Sequence, residues 1–250
     1  MLKIVTSVLI LYALACAFLY LKQRSLLFFP LPENTHVDAR AIWIESGEVK
    51  LKLWKFNQGK PAIIYFGGNS EAVEDNIQIF TTLFKQYTVY LLNYRGYGGS
   101  SGSPSEQGLK QDALAVYDQL AAQHSSVSVI GRSLGSGVAC HLAAHRDVDK
   151  LVLITPYDSI LNVAKSHYFY FPVRWLLKDT FDSVALAPAL HNRTQVLIAE
   201  HDQVIPVKHS WNLIKALTHA QLETQVIAGA SHNDILARST TQQLLADFMR

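Results

Sequence analysis

Charge is scarce in this sequence. Only 17% of its 250 residues are Asp, Glu, Lys or Arg, where soluble domains average about 25%. Twenty-two basic against 20 acidic residues leave a formal charge of +2, and no basic run concentrates it. That balance argues against nucleic acid as the main partner, which calls for a clustered positive face. Cysteine is scarcer still: Cys16 and Cys140, each within an apolar helical stretch. Two thiols so placed exclude a disulfide framework and any multi-cysteine zinc site. Internal repeats, low-complexity tracts and long Gly/Ser/Pro linkers are also missing, so the chain beyond its N-terminus reads as a single domain. What the sequence does have is apolar residues, 49% of the total. That content buries a sizeable core and excludes disorder as a global description.

The apolar excess begins at the N-terminus. From Ile4 to Leu21 the chain carries no charge, and only Thr6 and Ser7 are distinctly polar. As a helix this stretch covers about 27 Å, close to the hydrocarbon thickness of a bilayer. A cleaved signal peptide has a shorter apolar core, and Ala13-Leu14-Ala15 before Cys16 fits a lipoprotein signal poorly. The reading preferred here is an uncleaved single-span anchor, residues 1–24, ended by Lys22, Gln23 and Arg24. Lys3 on one side and Lys22 and Arg24 on the other nearly balance, so the charge rule assigns no side of the membrane.

Residues 25–250 form the expected domain. Ala41–Glu45 and Val49–Phe56 alternate around Ser46-Gly47 as an opening hairpin. Short apolar runs then alternate with helix-length segments. The runs are Ala62–Phe66, Thr88–Asn93, Val127–Ile130, Leu151–Thr155, Gln195–Ala199 and Glu223–Ile227. Between them lie Glu71–Lys85, Pro104–His124, Leu134–His145, Val207–Thr218 and Asn233–Met249. The second of these opens with Ser103 as cap, Pro104 at the first position and Glu106 closing a capping box. Strands alternating with helices predict a mostly parallel central sheet flanked by helices. Chemistry in such sheets sits just beyond the strands' C-terminal ends.

Gly131-Arg132-Ser133-Leu134-Gly135 follows one such run and opens a helix rich in small residues. This is the setting of a nucleophile elbow, whose strained turn lifts the serine hydroxyl above the sheet between tiny neighbours. Gly98-Gly99-Ser100-Ser101-Gly102 has the same spelling, but no helix starts at its serine, and it reads as a turn. A serine nucleophile needs a base, and the base an orienting acid. Among ten histidines, His232 lies in the loop after the last strand. Asp202 follows Gln195–Ala199 and is preferred over Asp158, which follows the strand before. The order Ser133, Asp202, His232 is that of an α/β-hydrolase. An oxyanion hole takes one N–H from Leu134. The second is assigned to Asn69, beyond Gly67 and Gly68, where two glycines let the backbone approach substrate.

These segments resemble the α/β-hydrolase superfamily, in particular membrane-anchored serine hydrolases related to the serine-aminopeptidase type and to protein depalmitoylases. The resemblance runs through Gln23–Pro30, Tyr65–Asn69, Asn93–Ser100, Gly131–Gly135, Glu200–Asp202 and Ser231-His232. Relatives usually carry histidine at Gly67 and aspartate at Asn93, neither a triad position. The resemblance implies a triad and an acyl-serine intermediate, with no metal and no organic cofactor; the sequence itself makes no obligate protein partner evident. It leaves the substrate open, since this fold hosts esterases, thioesterases, lipases and peptidases. The short cap, about residues 156–194, carries Tyr157, Tyr168, Phe169, Tyr170, Phe171 and Trp175. They form either an aromatic wall over an acyl pocket, with Tyr157 touching substrate, or a helical hairpin packed on the domain. The expected activity is cleavage of carboxylic ester or thioester bonds, in small-molecule or lipid-attached acyl substrates near a membrane. The alternatives are an aminopeptidase- or amidase-like hydrolase and a non-catalytic binding protein on the same fold.

Overall fold

The computed structural model describes residues 1–33 and 39–250. After the N-terminal helix α1 (Leu2–Leu27) come β1 (Arg40–Ser46), β2 (Val49–Phe56), β3 (Ala62–Phe66), α2 (Ile77–Leu83), β4 (Thr88–Leu92) and α3 (Glu106–Ala121). The second half runs β5 (Val127–Arg132), α4 (Leu134–His145), β6 (Lys150–Ile154), then a cap of short helices α5 (Ile160–His167), α6 (Val173–Leu176) and α7 (Ser183–Leu186). It ends with β7 (Arg193–Ala199), α8 (Val207–Ala216), β8 (Gln221–Ile227) and α9 (Ser239–Met249). The strands form one sheet in the order β1-β2-β4-β3-β5-β6-β7-β8. Its first two pairings are antiparallel and all the rest parallel.

Strand periodicity divides the core between the two faces. Ala62, Ile64 and Phe66 of β3, with Leu151 and Leu153 of β6, join the cluster under α3, α4 and α8. Ile63, Tyr65, Val152 and Ile154 point the other way, onto α2 and α9. With both faces covered, the central strands lose the polar alternation of a half-exposed sheet and read as unbroken apolar runs. The chain turns left from β3 to β4 and then right to β5, so the topological switch lies between β3 and β5. A crevice opens there at the carboxyl ends, and Phe66 and Gly131 are paired at its base.

Several boundaries differ from those read in the sequence. The N-cap of α3 is Ser105, whose hydroxyl accepts from the Gly108 N–H at 3.1 Å, not Ser103. The segment 71–85 is only partly α-helical, with a 3-10 turn over Val73–Asn76 before α2. The last helix starts at Ser239, not Asn233, because residues 229–237 are held in turns by Asp234 and Arg238.

Helix α1 is long and apolar enough to cross a membrane. It continues as helix past Lys22 and Arg24 to Leu27, and this last part lies on the domain. Gln23 is buried, its Nε2 donating to the Leu176 carbonyl at 2.9 Å and its Oε1 accepting from the Lys178 N–H at 2.6 Å. Arg24 pairs with Asp179 at 3.0 Å. Phe28, just past the helix, is 2% exposed and meets Phe181 edge-on.

Candidate active site

At the end of β5 the chain turns sharply, with Ser133 at φ 50° and ψ −118°. For a residue with a Cβ this region costs about 1–3 kcal/mol, so the surroundings must hold it. The Ser133 N–H donates to the Ile154 carbonyl at 2.9 Å, and the Ser133 carbonyl accepts from the Ser136 N–H and hydroxyl. The flanking glycines allow the close approach that makes this turn: a Cβ on Gly135 would lie 2.1 Å from the Phe66 carbonyl oxygen, and one on Gly131 2.5 Å from that of Gly135. The Ser133 side chain makes no capping bond to α4. Its Oγ instead lies 2.9 Å from His232 Nε2.

The other ring nitrogen of His232 is 2.7 Å from Asp202 Oδ2. Asp202 Oδ1 accepts the N–H groups of Val204 (2.9 Å) and Ile205 (2.7 Å), which fixes the carboxylate's direction. Both side chains are nearly closed off from solvent. Ser133, Asp202 and His232, just beyond the carboxyl ends of β5, β7 and β8, are thus brought together in one hydrogen-bonded chain. An arrangement of this kind can orient an imidazole through its acid and leave the other ring nitrogen free to accept a serine proton.

Asp158 belongs elsewhere. It lies 2.9 Å from His209 Nδ1 and accepts from the side-chain amides of Asn162 and Asn212. His209 Nε2 in turn lies 3.0 Å from Ser166 Oγ. This second Ser–His–Asp series joins α5 to α8, and its serine lies within a regular helix with no strained turn behind it. Ser100, in the other glycine–serine match, is 8% exposed and ties β2 to the residue just after β4: its hydroxyl donates to the Asn93 carbonyl and accepts from the Lys52 N–H.

A cavity of about 280 Å³ opens over the serine, lined by Gly68, Asn69, Ser133, His232 and Leu31 among others. The loop after β3 forms one wall, and a Cβ on Gly68 would come 3.6 Å from that of Ser133. Two expectations need correcting. Gly67 lies behind the cavity wall, packed against Val73, and its carbonyl accepts the Tyr94 hydroxyl. Tyr157 is fully buried and donates to the Leu134 carbonyl at 3.0 Å, so it supports α4 from below and does not face substrate. The Asn69 side chain also turns from the cavity. Its carboxamide holds the Leu27 carbonyl, the Phe29 N–H and the Tyr97 hydroxyl.

Sequence reasoning missed the groups beneath this loop. Glu71 accepts from the Gly68 N–H, the Tyr65 hydroxyl, the Asn76 amide and the Arg132 guanidinium. Arg132 also donates to the His232 carbonyl at 3.1 Å. One ion pair therefore links the loop after β3 to the loop carrying the histidine. An acid just past the glycines and an arginine just before the serine were the only signals of it.

Comparison with known proteins identifies the family. Residues 61–185 match the family model for the alpha/beta hydrolase fold. The chain is 31% identical over 233 residues to an uncharacterised protein of Mycobacterium tuberculosis, covering 87% of this chain and 83% of that one. It is also 31% identical to lysophosphatidylserine lipase ABHD12 of Xenopus tropicalis, over 79% of this chain and 63% of the lipase. Among solved structures the Pyrococcus furiosus esterase Pf2001 superposes with a TM-score of 0.72, covering 89% of this chain and 97% of the esterase at 17% identity. The fold and the site define an α/β-hydrolase, and the chain belongs to that family. Its relatives by sequence include lipases, which supports hydrolase activity.

Proposed function

We propose that the protein is a serine hydrolase that cleaves carboxylic ester or thioester bonds of apolar acyl substrates at a membrane. The reading rests on the Ser133–His232–Asp202 chain, closed at 2.9 and 2.7 Å on a serine whose backbone is held in the strained turn. Ser133 Oγ attacks the acyl carbon while His232 Nε2 takes its proton, and Asp202 stabilises the imidazolium. The tetrahedral oxyanion receives the N–H of Leu134, which as the first residue of α4 has no intrahelical acceptor, and the N–H of Asn69. Collapse expels the alcohol or thiol, protonated by His232, and leaves an acyl-serine. Water then enters with the same histidine as base, which releases the acid and restores the serine.

The placement of the cap carboxylates favours esters over amino-terminal peptides. An aminopeptidase holds a free amine with carboxylates, but Asp158 faces His209, Asp179 binds Arg24 and the Glu106 N–H, and Asp182 caps α7. Kinship with a lysophosphatidylserine lipase and the apolar helix α1 support a lipid acyl substrate. A fluorophosphonate probe tests the nucleophile. Ser133→Ala should abolish labelling and lower kcat on the order of 10⁶-fold, whereas Ser100→Ala keeps the label. Labelling that survives Ser133→Ala refutes the assignment.

A further inference from the structure

A second cavity, about 340 Å³, lies between α1 and the cap. Its wall is hydrocarbon apart from Gln23 and the Tyr168 hydroxyl, and both ends of the Gln23 carboxamide are already bonded to the cap backbone. Water finds few partners in such a space, while its size is that of a small-ligand site. The cavity follows α1 from Phe18 and Leu19 to Leu26 and Leu27, about 13 Å along the helix axis. One end therefore opens within the apolar stretch of α1. The other ends at Leu27, whose carbonyl is held by Asn69 at 2.6 Å, in the loop that walls the cavity over Ser133.

The cap's tip shares the depth of α1. Tyr12 donates to the Tyr170 carbonyl at 2.8 Å and its ring stacks on Phe171. Tyr12 precedes Lys22 by ten residues, about 15 Å of helix. Where α1 crosses a bilayer with Lys22 at its surface, the tip of the cap lies well below that surface. Tyr168, Phe169, Tyr170 and Trp175, each more than half exposed, are an unfavourable patch in water.

We propose that the groove between α1 and the cap is an acyl-chain site that fills sideways from the bilayer. A single lipid acyl chain lies along α1 from Phe18 toward Leu27, and its ester end is delivered to Ser133. The membrane helix is then one wall of the substrate site as well as an anchor. This proposal rests on the hydrolase reading above for its ester end, and on α1 crossing the membrane.

Photocrosslinking tests it without requiring turnover. Full-length Ser133→Ala protein is reconstituted in phosphatidylcholine vesicles containing a lysophospholipid with a diazirine near the end of its acyl chain, then irradiated and mapped by mass spectrometry. Adducts are expected on groove residues Leu19, Leu26, Ala164 and Leu177, and on the outward-facing Leu9 and Leu14 of α1. Filling the groove with Ala164→Trp, or with Ile160→Phe should the first variant fail to fold, removes the groove adducts and leaves those at Leu9 and Leu14. Adducts confined to Leu9 and Leu14, or groove adducts that survive the filled groove, overturn the proposal. So does a chain labelled at none of these positions, since α1 is then outside the bilayer. The two readings fail separately. A groove that labels in a protein whose wild type hydrolyses no ester leaves the acyl site standing without the catalytic reading, and an active enzyme with an unlabelled groove does the reverse.

Discussion

Two buried His–Asp pairs of similar geometry coexist, their members 30 and 51 residues apart in sequence, and the serine each histidine meets separates their roles. His232 is joined to a serine in a strained turn beside an open cavity, His209 to a serine inside α5. Substituting the acids therefore has opposite readouts. Asp202→Asn should lower kcat by roughly 10⁴-fold, since the imidazole loses the partner that fixes its tautomer. Asp158→Asn should leave kcat near wild type and lower the melting temperature instead, because Asp158 holds α5 and α8 together through His209, Asn162 and Asn212. Steady-state kinetics alongside thermal melts check both, and the reverse pattern would move the acid to the earlier strand. A third histidine carries a pH signature. Burial pushes His141 in α4 down to about 4, helped by His145 and Lys110 and opposed by Glu106. Below its ordinary pKa of 6.5 the unfolded chain binds a proton that the folded one refuses until about pH 4. The neutral histidine's contribution is thus lost as pH falls from 6.5 toward 4. Urea unfolding at pH 7 and pH 5 should show a smaller stability loss in His141→Asn than in the wild type.

Among the elements, α4 and the loop after β3 depend on one another. The helix approaches the sheet so closely because its first turn is Gly135-Ser136-Gly137, with Tyr157 packed beneath Gly137. The loop in turn is set by Glu71, whose charge answers Arg132 in a site where neither side chain exceeds 12% exposure. Removing one partner of such a pair leaves the other buried and uncompensated, so either substitution disturbs the loop and the fold together. Helix α3 gives the sharpest test of a boundary. Ser105→Ala should destabilise the protein by about 1 kcal/mol, the usual worth of an N-cap, while Ser103→Ala should be close to neutral. Chemical denaturation of the two variants distinguishes them, and equal effects would deny Ser105 its capping role.

At the scale of the whole molecule, α1 is part of the domain's packing as well as a candidate membrane span. Its last turns supply Gln23 to the cap backbone and Arg24 to Asp179, and the residue after them, Phe28, enters the main core. A chain beginning at Glu33 should therefore be less stable than the full one by at least about 2 kcal/mol, the worth of one buried aromatic side chain. It should also lose more activity on esters embedded in vesicles than on a small soluble ester, since tethering raises the local concentration of membrane substrates. Melting curves and paired rates on the two substrates measure these effects. Equal stability would mean that α1 is a detached anchor, and equal relative rates would remove the membrane from the function.

The alternation of apolar runs with helix-length segments was enough to determine the α/β class, because a parallel sheet covered on both faces leaves its strands as continuous apolar stretches. Ser133 and Asp202 were legible because each follows such a run, and His232 because it follows the last strand, a half-exposed edge strand; strand ends are where this topology gathers its loops. Backbone strain at Ser133 was legible too, from the glycines on either side. What the sequence left open were contacts between residues far apart along the chain. Asp158 and Asp202 both follow strands, and only the packing of α5 and α8 gave Asp158 its own histidine. Tyr157 read as a substrate contact because an aromatic beside a strand end carries no mark of which way it points. Leu27 and Phe28 continued an apolar stretch that suits lipid and core equally well. The space beside α1 decided between them: Phe28 closes onto Phe181, and Leu27 borders the groove that the cap leaves open.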